Sequence, residues 1–429
     1  MNATRITGAL LVERMTDEER ERALRVEQVL PPLREAAREA DAKAEFPKGH
    51  VALFREAGLL GLVVPKRFGG LGGSLRDLAA ATFALGTACP STALAFFFHC
   101  SSASRGLLGL EALEAGLFAQ DDAAIVERFA TRVLTKMGRE GLWLANFASE
   151  SVKTAASAVT IATEATKVDG GFRLNGVKSF GCSTGVADEY LVTAKLAGTT
   201  TAEGLALFFV KRDAAGVAER IRWDAIGMRG TATHGITLKD VFVADADALA
   251  IPGAFVKMMQ MSRGSFVGNQ LAGTAVYVGA AQAVYEQTLE QLLRAKFEDT
   301  GRPLAESPMH QELIAKMTVD LETAYLWIRR QLELETADPP LLPKAAVVQK
   351  WRLCKGEVCE AAFRVAVNAL KAGGTSNTTN HGVAARGLRD LAMGLVQAFP
   401  AERGRLEVAK MIVSDREQAL FGALPRASS

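Results

Sequence analysis

The chain lacks the usual means of stapling a secreted fold, holding zinc or crossing a bilayer. Its five cysteines, Cys89, Cys100, Cys182, Cys354 and Cys359, are scattered over 429 residues. They form no CxxC and no paired Cys/His spacing, which speaks for reduced thiols and against a metal site. The most apolar run, Leu94 to Phe98, ends at His99, far short of the ~20 residues a membrane span needs. The N-terminus shows no basic stretch leading into an apolar core and a small-residue cleavage site. A cytoplasmic protein with no membrane partner is therefore expected. Lysine and arginine number 50 against 48 acidic residues, a net charge of +2. No basic stripe of the kind nucleic acid requires is present. Internal repeats and low-complexity segments are absent as well.

What is present is an ordinary globular composition, 49% hydrophobic and 23% charged. The mean hydropathy of +0.11 comes from many alanines. Chain length suggests about two or three domains. Residues 1–140 read as helical, with a helix-start signal at Thr16-Asp17-Glu18-Glu19. The cluster Gly69-Gly70-Leu71-Gly72-Gly73 reads as a flexible linker, because it lacks the strand, helix and following Lys-Thr or Lys-Ser of a phosphate loop. The helical pattern returns from Leu75 to Leu113 with a break near Cys89-Pro90, and His99 reads as a satisfied core histidine before it reads as a catalyst.

Residues 141–248 change period. Short runs rich in Val, Ile, Thr and aromatics, parted by Gly, Asp and Asn, predict a central β domain, a barrel or sandwich, within an α+β multidomain chain. Its central stretch is Gly171 to Val192. Asn175-Gly176 predicts a tight hairpin turn between Phe172–Leu174 and Val177–Phe180. The small, polar patch Gly181-Cys182-Ser183-Thr184-Gly185 that follows would let a flat ligand approach closely. Residues 249–429 predict a four-helix bundle. Its helices are expected at Ser265–Lys296, from Ser307-Pro308 with a stripe Met309, Leu313, Met317, Leu321, Tyr325, Ile328 and Leu332, at Lys344–Lys371, and at Leu406–Phe421.

Helical domain, β domain and bundle in that order resemble the acyl-CoA dehydrogenase superfamily. Four strings carry the resemblance: VPKRFGGLGG, NGVKSFGCSTGVADEYLV, IGMRGTATHGITLKDVFV, and AGGTSN followed by GLRDL. The resemblance implies a flavin, FAD or alternatively FMN, held between the β domain and the bundle, usually with help from a second subunit in a homotetramer or dimer. It implies an electron-transfer flavoprotein or a flavin reductase as partner. Family positions against the flavin fall on Phe180, in place of the usual Trp, and on Cys182, in place of Thr or Ser. Ser149-Glu150 stands for Thr-Glu-Pro, Ser183 is a nearby hydroxyl, and Gly373-Gly374 is the double glycine. Arg294 lies one position from an arginine that serves the neighbouring subunit's cofactor. An aromatic face suits the ring, and hydroxyl, thiol or backbone donors suit its polar edge.

The departures are equally specific. Ser151 to Ala156 replaces the family's small-residue pyrophosphate segment, with Lys153 and Thr154 as substitute donors, and Leu370 replaces a glutamine. The carboxylate that removes the α-proton of an acyl thioester is replaced by Ala398, and the position of an alternative base on the first bundle helix by Asn269, beside Gln270. Glu402 is the nearest carboxylate in sequence and reads as structural. Three functions follow from the resemblance. The first is α,β-dehydrogenation of an acyl-CoA or carrier-protein thioester with a relocated base. The second is a flavin-dependent monooxygenase, to which His99, Ser149 and Ser183 would contribute. The third is a catalytically lapsed acyl-binding homologue.

Overall fold

The computed structural model describes residues 6–151, 160–221, 223–264, 270–380 and 382–414. The N-terminal layer contains α1 (Asp17–Lys43), α2 (Gly49–Glu56), α3 (Leu75–Ala88), α4 (Pro90–Glu114) and α5 (Gln120–Gly138). At the start of α1 the Thr16 hydroxyl accepts from the Glu19 amide at 3.2 Å while the Glu19 carboxylate accepts from the Thr16 amide at 2.8 Å. Two orphan donors are satisfied reciprocally, as the start signal required. Pro90 opens α4 at the position where a missing N–H costs nothing.

The glycine cluster after α2 is a packed turn, not a flexible linker. The amides of Leu71, Gly72 and Gly73 donate to the carbonyls of Gly61, Val64 and Leu62 at 2.8–2.9 Å. A Cβ on Gly70 would lie 2.2 Å from the Val64 carbonyl oxygen. Close backbone approach is what the glycine serves.

The middle layer is a single sheet: β1 (Leu144–Phe147), β2 (Glu164–Val168), β3 (Gly171–Gly181), β4 (Glu189–Leu196), β5 (Leu205–Lys211), β6 (Val217–Ile221), β7 (His234–Ala244) and β8 (Ala248–Leu249). The order is β6-β7-β3-β2-β4-β5-β8, with β1 parallel to β4. The hairpin predicted at Asn175-Gly176 is not formed. The chain turns earlier, at Asp169-Gly170, pairing Val168 with Gly171, and β3 runs straight through Asn175-Gly176. There the ladder to β7 shifts register between Leu174 and Gly176. The Asn175 carboxamide oxygen accepts from the Asp240 amide at 2.8 Å, and a Cβ on Gly176 would meet Thr163 Oγ1 at 2.4 Å. A turn-forming dipeptide here makes a bulge, because Asn can bond locally and Gly admits a neighbouring strand.

After α6 (Ala254–Gln260) come α7 (Gln270–Arg294), α8 (Pro308–Thr336), α9 (Lys344–Gly373), α10 (Val383–Gly394) and α11 (Ala401–Ser414). The start expected for the first bundle helix at Ser265, and the end expected for the last at Phe421, lie outside the described residues. The fourth bundle element differs from the prediction. It is α10, packed on both α7 and α9, and α11 continues along α9 after a break before Pro400. Met309, placed on the α8 stripe by its spacing, is 64% exposed. It sits in the first turn of α8, before the buried stripe that starts at Met317 and continues through Leu321, Tyr325, Ile328 and Leu332. α3 and α4 pack against α7, so helical layer, sheet and bundle share one hydrophobic core. Among the described residues no helix is long and apolar enough to cross a membrane, and no cluster of three metal-ligating side chains occurs.

Candidate active site

A cavity of about 600 Å³ opens where α4, the edge of the sheet, the first turns of α7 and the segment after α10 meet. That volume is typical of small-molecule sites. α4 contributes Leu94, Phe98, Ser101 and Arg105. Their spacing of four, three and four places them on one face of the helix. α7 contributes Gln270 and Tyr277, two turns apart, and Ala398 faces them from the segment between α10 and α11.

The sheet side supplies an aromatic wall and a hydroxyl chain. Phe180, 47% exposed, meets Trp223 edge-on at 5.7 Å. The Trp223 indole N–H is held by the Met228 carbonyl at 3.0 Å. The same carbonyl accepts from the Thr231 hydroxyl at 2.9 Å, which commits that hydroxyl's proton. The 2.7 Å contact between Thr233 and Thr231 is therefore donated by Thr233, and the 3.0 Å contact between Cys182 and Thr233 by the thiol. In this arrangement the Cys182 proton points to Thr233 and its sulfur is left as an acceptor toward the cavity. Burial pushes the Cys182 thiol up to about 12. Non-glycine residues with left-handed backbone gather around this wall. Ser183, Met228, Ala232 and Ala398 have φ of 65°, 51°, 46° and 65°. Such strain, of order 1–3 kcal/mol each, persists where surrounding structure over-determines it.

Three side chains lining the cavity hold buried polar atoms without a partner: Arg105 Nε, Gln270 Oε1 and Tyr277 OH. Such orphans are costly until a ligand or water satisfies them. Burial raises the Tyr277 hydroxyl well above its usual range, so it is a neutral phenol. No aspartate, glutamate or histidine lines the cavity among the described residues. The aromatic wall and the unpaired donors and acceptors fit a flavin ring, with Phe180, Trp223, Ser149, Gln270 and the Cys182 sulfur as the residues that would hold it.

Ser149 lines the cavity and is exposed, and its carbonyl accepts from the Ser179 amide at 2.9 Å. Beside it Glu150 makes a buried ion pair with Lys178 at 2.6 Å and bonds the Thr163 hydroxyl at 2.7 Å. Burial opposes the Glu150 charge, but Lys178 and these bonds outweigh it and hold its pKa low. Ser183 is turned into the core, accepting from the Trp143 indole at 3.1 Å. His99 does not line the cavity. Its Nε2 donates to the Leu60 carbonyl at 2.9 Å, its Nδ1 accepts from the Leu144 amide at 3.0 Å, and its ring stacks on Trp143 at 4.9 Å. Burial lowers its pKa to about 4. With both nitrogens committed, it has neither proton nor lone pair for catalysis.

Arg294 is exposed at the far end of α7, roughly 25 Å along the helix from Tyr277. Gly373 and Gly374 end α9 and do not line this cavity. Glu402 is exposed, 3.6 Å from Arg405, and lines a different hollow. Lys153, Thr154 and Asn269 lie outside the described residues. The Arg389-Asp390 pair is structural: Arg389 grips Asp41 of α1 with both Nη atoms, and Asp390 accepts from the Met228 amide at 2.6 Å. Sequence reasoning missed Arg105, Tyr277, Trp223 and Thr233. Only Arg105 left a signal, an arginine at helical spacing from Leu94 and Phe98.

Comparison with known proteins matches the N-terminal, middle and C-terminal domains of acyl-CoA dehydrogenases to residues 16–112, 145–241 and 260–417. A putative acyl-CoA dehydrogenase of Bacillus subtilis is 24% identical over 88% of this chain and 93% of its own. The isobutylamine N-hydroxylase of Streptomyces viridifaciens is 30% identical over 56% of this chain and 61% of its own. A solved structure of a KijD3 in complex with FMN and a dTDP-linked amino-keto sugar superposes with a TM-score of 0.77. It is 24% identical and covers 96% of this chain and 97% of its own.

Proposed function

The chain belongs to the acyl-CoA dehydrogenase family, whose members are flavin-dependent oxidoreductases, and from that we propose that it is a flavin-dependent monooxygenase acting on a small molecule in this cavity. The observation that carries the reading is a cavity without a base. Removing an α-proton from a thioester needs a positioned carboxylate, and losing one costs about two to four orders of magnitude. Here Ala398 presents a methyl group to the cavity, and no other lining residue among those described supplies a carboxylate or imidazole. Oxygenation makes no such demand. Bound reduced flavin, FMN or FAD, supplies two electrons to dioxygen, one oxygen atom entering the substrate and the other leaving as water. The electrons come from a flavin reductase. The protein's own residues provide the aromatic wall, acceptors for the ring edge, and the apolar Leu94 and Phe98 of α4 that exclude water. The similarity to an N-hydroxylase supports the reading.

Two measurements separate it from acyl-thioester dehydrogenation. Purified protein loaded with oxidised flavin is titrated anaerobically with acyl-CoA thioesters, and no bleaching is expected. Supplied with reduced flavin and candidate amines or sulfur compounds, it should consume oxygen in step with product. Anaerobic bleaching by a thioester would overturn the proposal and restore the dehydrogenase reading. Failure to take up flavin in either redox state would overturn both.

A further inference from the structure

We propose that Arg105 is an oxyanion receptor at the helical-domain end of the cavity, so that the substrate is a small molecule with an apolar body and an anionic terminus, such as a carboxylate. The inference rests on the cavity being the substrate site of the proposed function and names the substrate class.

Arg105 is 6% exposed, on the α4 face that lines the cavity. Its Nη1 donates to the Ser104 hydroxyl at 2.9 Å, and its Nε is buried without a partner. Of the other buried lysines, Lys355 is held by the carbonyls of Gly394 and Phe399, and two have ion pairs. Lys178 has Glu150 at 2.6 Å, and Lys136 has Glu189 at 2.7 Å. Arg105 has no ion pair among the described residues. Burial with no acidic neighbour lowers its pKa to about 10, so it is still protonated at neutral pH. An isolated buried charge costs several kcal/mol. A ligand that brings the missing anion recovers that cost, and a planar guanidinium fork suits a carboxylate better than a point charge would.

The rest of the α4 face sets the substrate's body. Phe98 and Leu94 lie about 10 and 16 Å along the axis from Arg105, leaving an apolar path of several carbons before the aromatic wall. The phosphate of a flavin has the same oxyanion chemistry, so the test must tell the two sources apart.

The full-length protein is loaded with FMN and titrated calorimetrically with sodium hexanoate and with hexanamide, which match in length and differ in charge. Hexanoate should bind at least tenfold more tightly. Arg105→Gln should reduce that preference below twofold, and Arg105→Lys should keep part of it. The ratio of FMN to riboflavin affinity should be unchanged by Arg105→Gln. Equal binding of the two probes by the unaltered protein, or a preference that survives Arg105→Gln, would overturn the proposal. A loss of FMN preference over riboflavin would reassign Arg105 to the cofactor's phosphate. The probe comparison is repeated on flavin-free protein, so a protein that refuses flavin sinks the monooxygenase reading while the anion preference is still read. If Arg105→Gln does not fold, the probe comparison on the unaltered and Arg105→Lys proteins decides.

Discussion

The Nδ1 atom of His99, on α4, accepts the amide proton of Leu144, the first residue of β1, at 3.0 Å. This bond ties the helical layer to the sheet at the back of the aromatic wall, and it exists only while the imidazole is neutral. The folded pKa, about 4, lies below the ordinary 6.5 because burial penalises the charged ring. Between those values the unfolded chain binds more protons, so stability rises with pH across this window and is fully present above 6.5. The His99 share is about 3 kcal/mol. His50, buried and bonded to Thr92, acts in the same direction. Asp390, raised to about 6 by burial, acts in the opposite one. Urea unfolding should show lower stability at pH 5 than at pH 7.5, and His99→Gln should flatten that difference while lowering stability at pH 7.5. A pH slope that His99→Gln leaves unchanged would remove His99 from the account.

Glu150 and Lys178 are the second structural pair behind the site, with side chains 2% and 0% exposed. Breaking a buried pair leaves an uncompensated charge, which costs about 3–5 kcal/mol. Lys178→Met should lose that much in chemical denaturation, and Lys178→Met with Glu150→Leu should recover most of it. A single variant as stable as the parent would mean water reaches the pair.

At Ala398 the backbone lies in the left-handed region, φ 65°. Replacing an alanine there with glycine removes a steric cost of about 1 kcal/mol. Ala398→Gly should therefore raise stability, seen as an increased denaturation midpoint. Ala398→Glu puts a carboxylate on the cavity wall, at the position where the resemblance implies the family's base. With flavin bound, butyryl-CoA is still not expected to bleach it, because the cavity is matched to another substrate class. Bleaching by the Ala398→Glu protein would show that only the base was missing.

The sequence made the order of the three layers legible because local pattern survives without knowledge of partners: short runs of β-branched, aromatic and apolar residues mark β4, β5 and β7, and helical stripes mark α8 and α9. The Asn175-Gly176 turn misread as a hairpin shows the limit. The dipeptide states what backbone is allowed, while the register between β3 and β7 states what is used. The site was half legible for a similar reason. Phe180 and Cys182 stand on a string with a family counterpart and Ala398 is reached by counting from Arg389-Asp390, whereas Tyr277 and Trp223 reach the cavity only through the packing of α7 and the β6–β7 connection. Met228 and Ala232 have nothing in their side chains that announces a left-handed backbone.

The hydroxyl chain from Cys182 through Thr233 and Thr231 to the Met228 carbonyl gives a chemical test of the sheet wall. All five cysteines are free and buried. A thiol held at about 12 is almost wholly protonated at pH 8, with roughly a thousandth or less of the reactive thiolate of an ordinary cysteine. Iodoacetamide at pH 8 should leave Cys182 unmodified in the native protein and alkylate it fully in denaturant, as read by peptide mass spectrometry. Cys182→Ser preserves the chain with a stronger donor and should be at least as stable as the parent. Cys182→Ala removes the donor from Thr233 and should cost about 1–3 kcal/mol. Rapid native alkylation at Cys182, or a Cys182→Ala variant as stable as Cys182→Ser, would show that the thiol proton is not committed to Thr233 and would return it to the cavity as a donor.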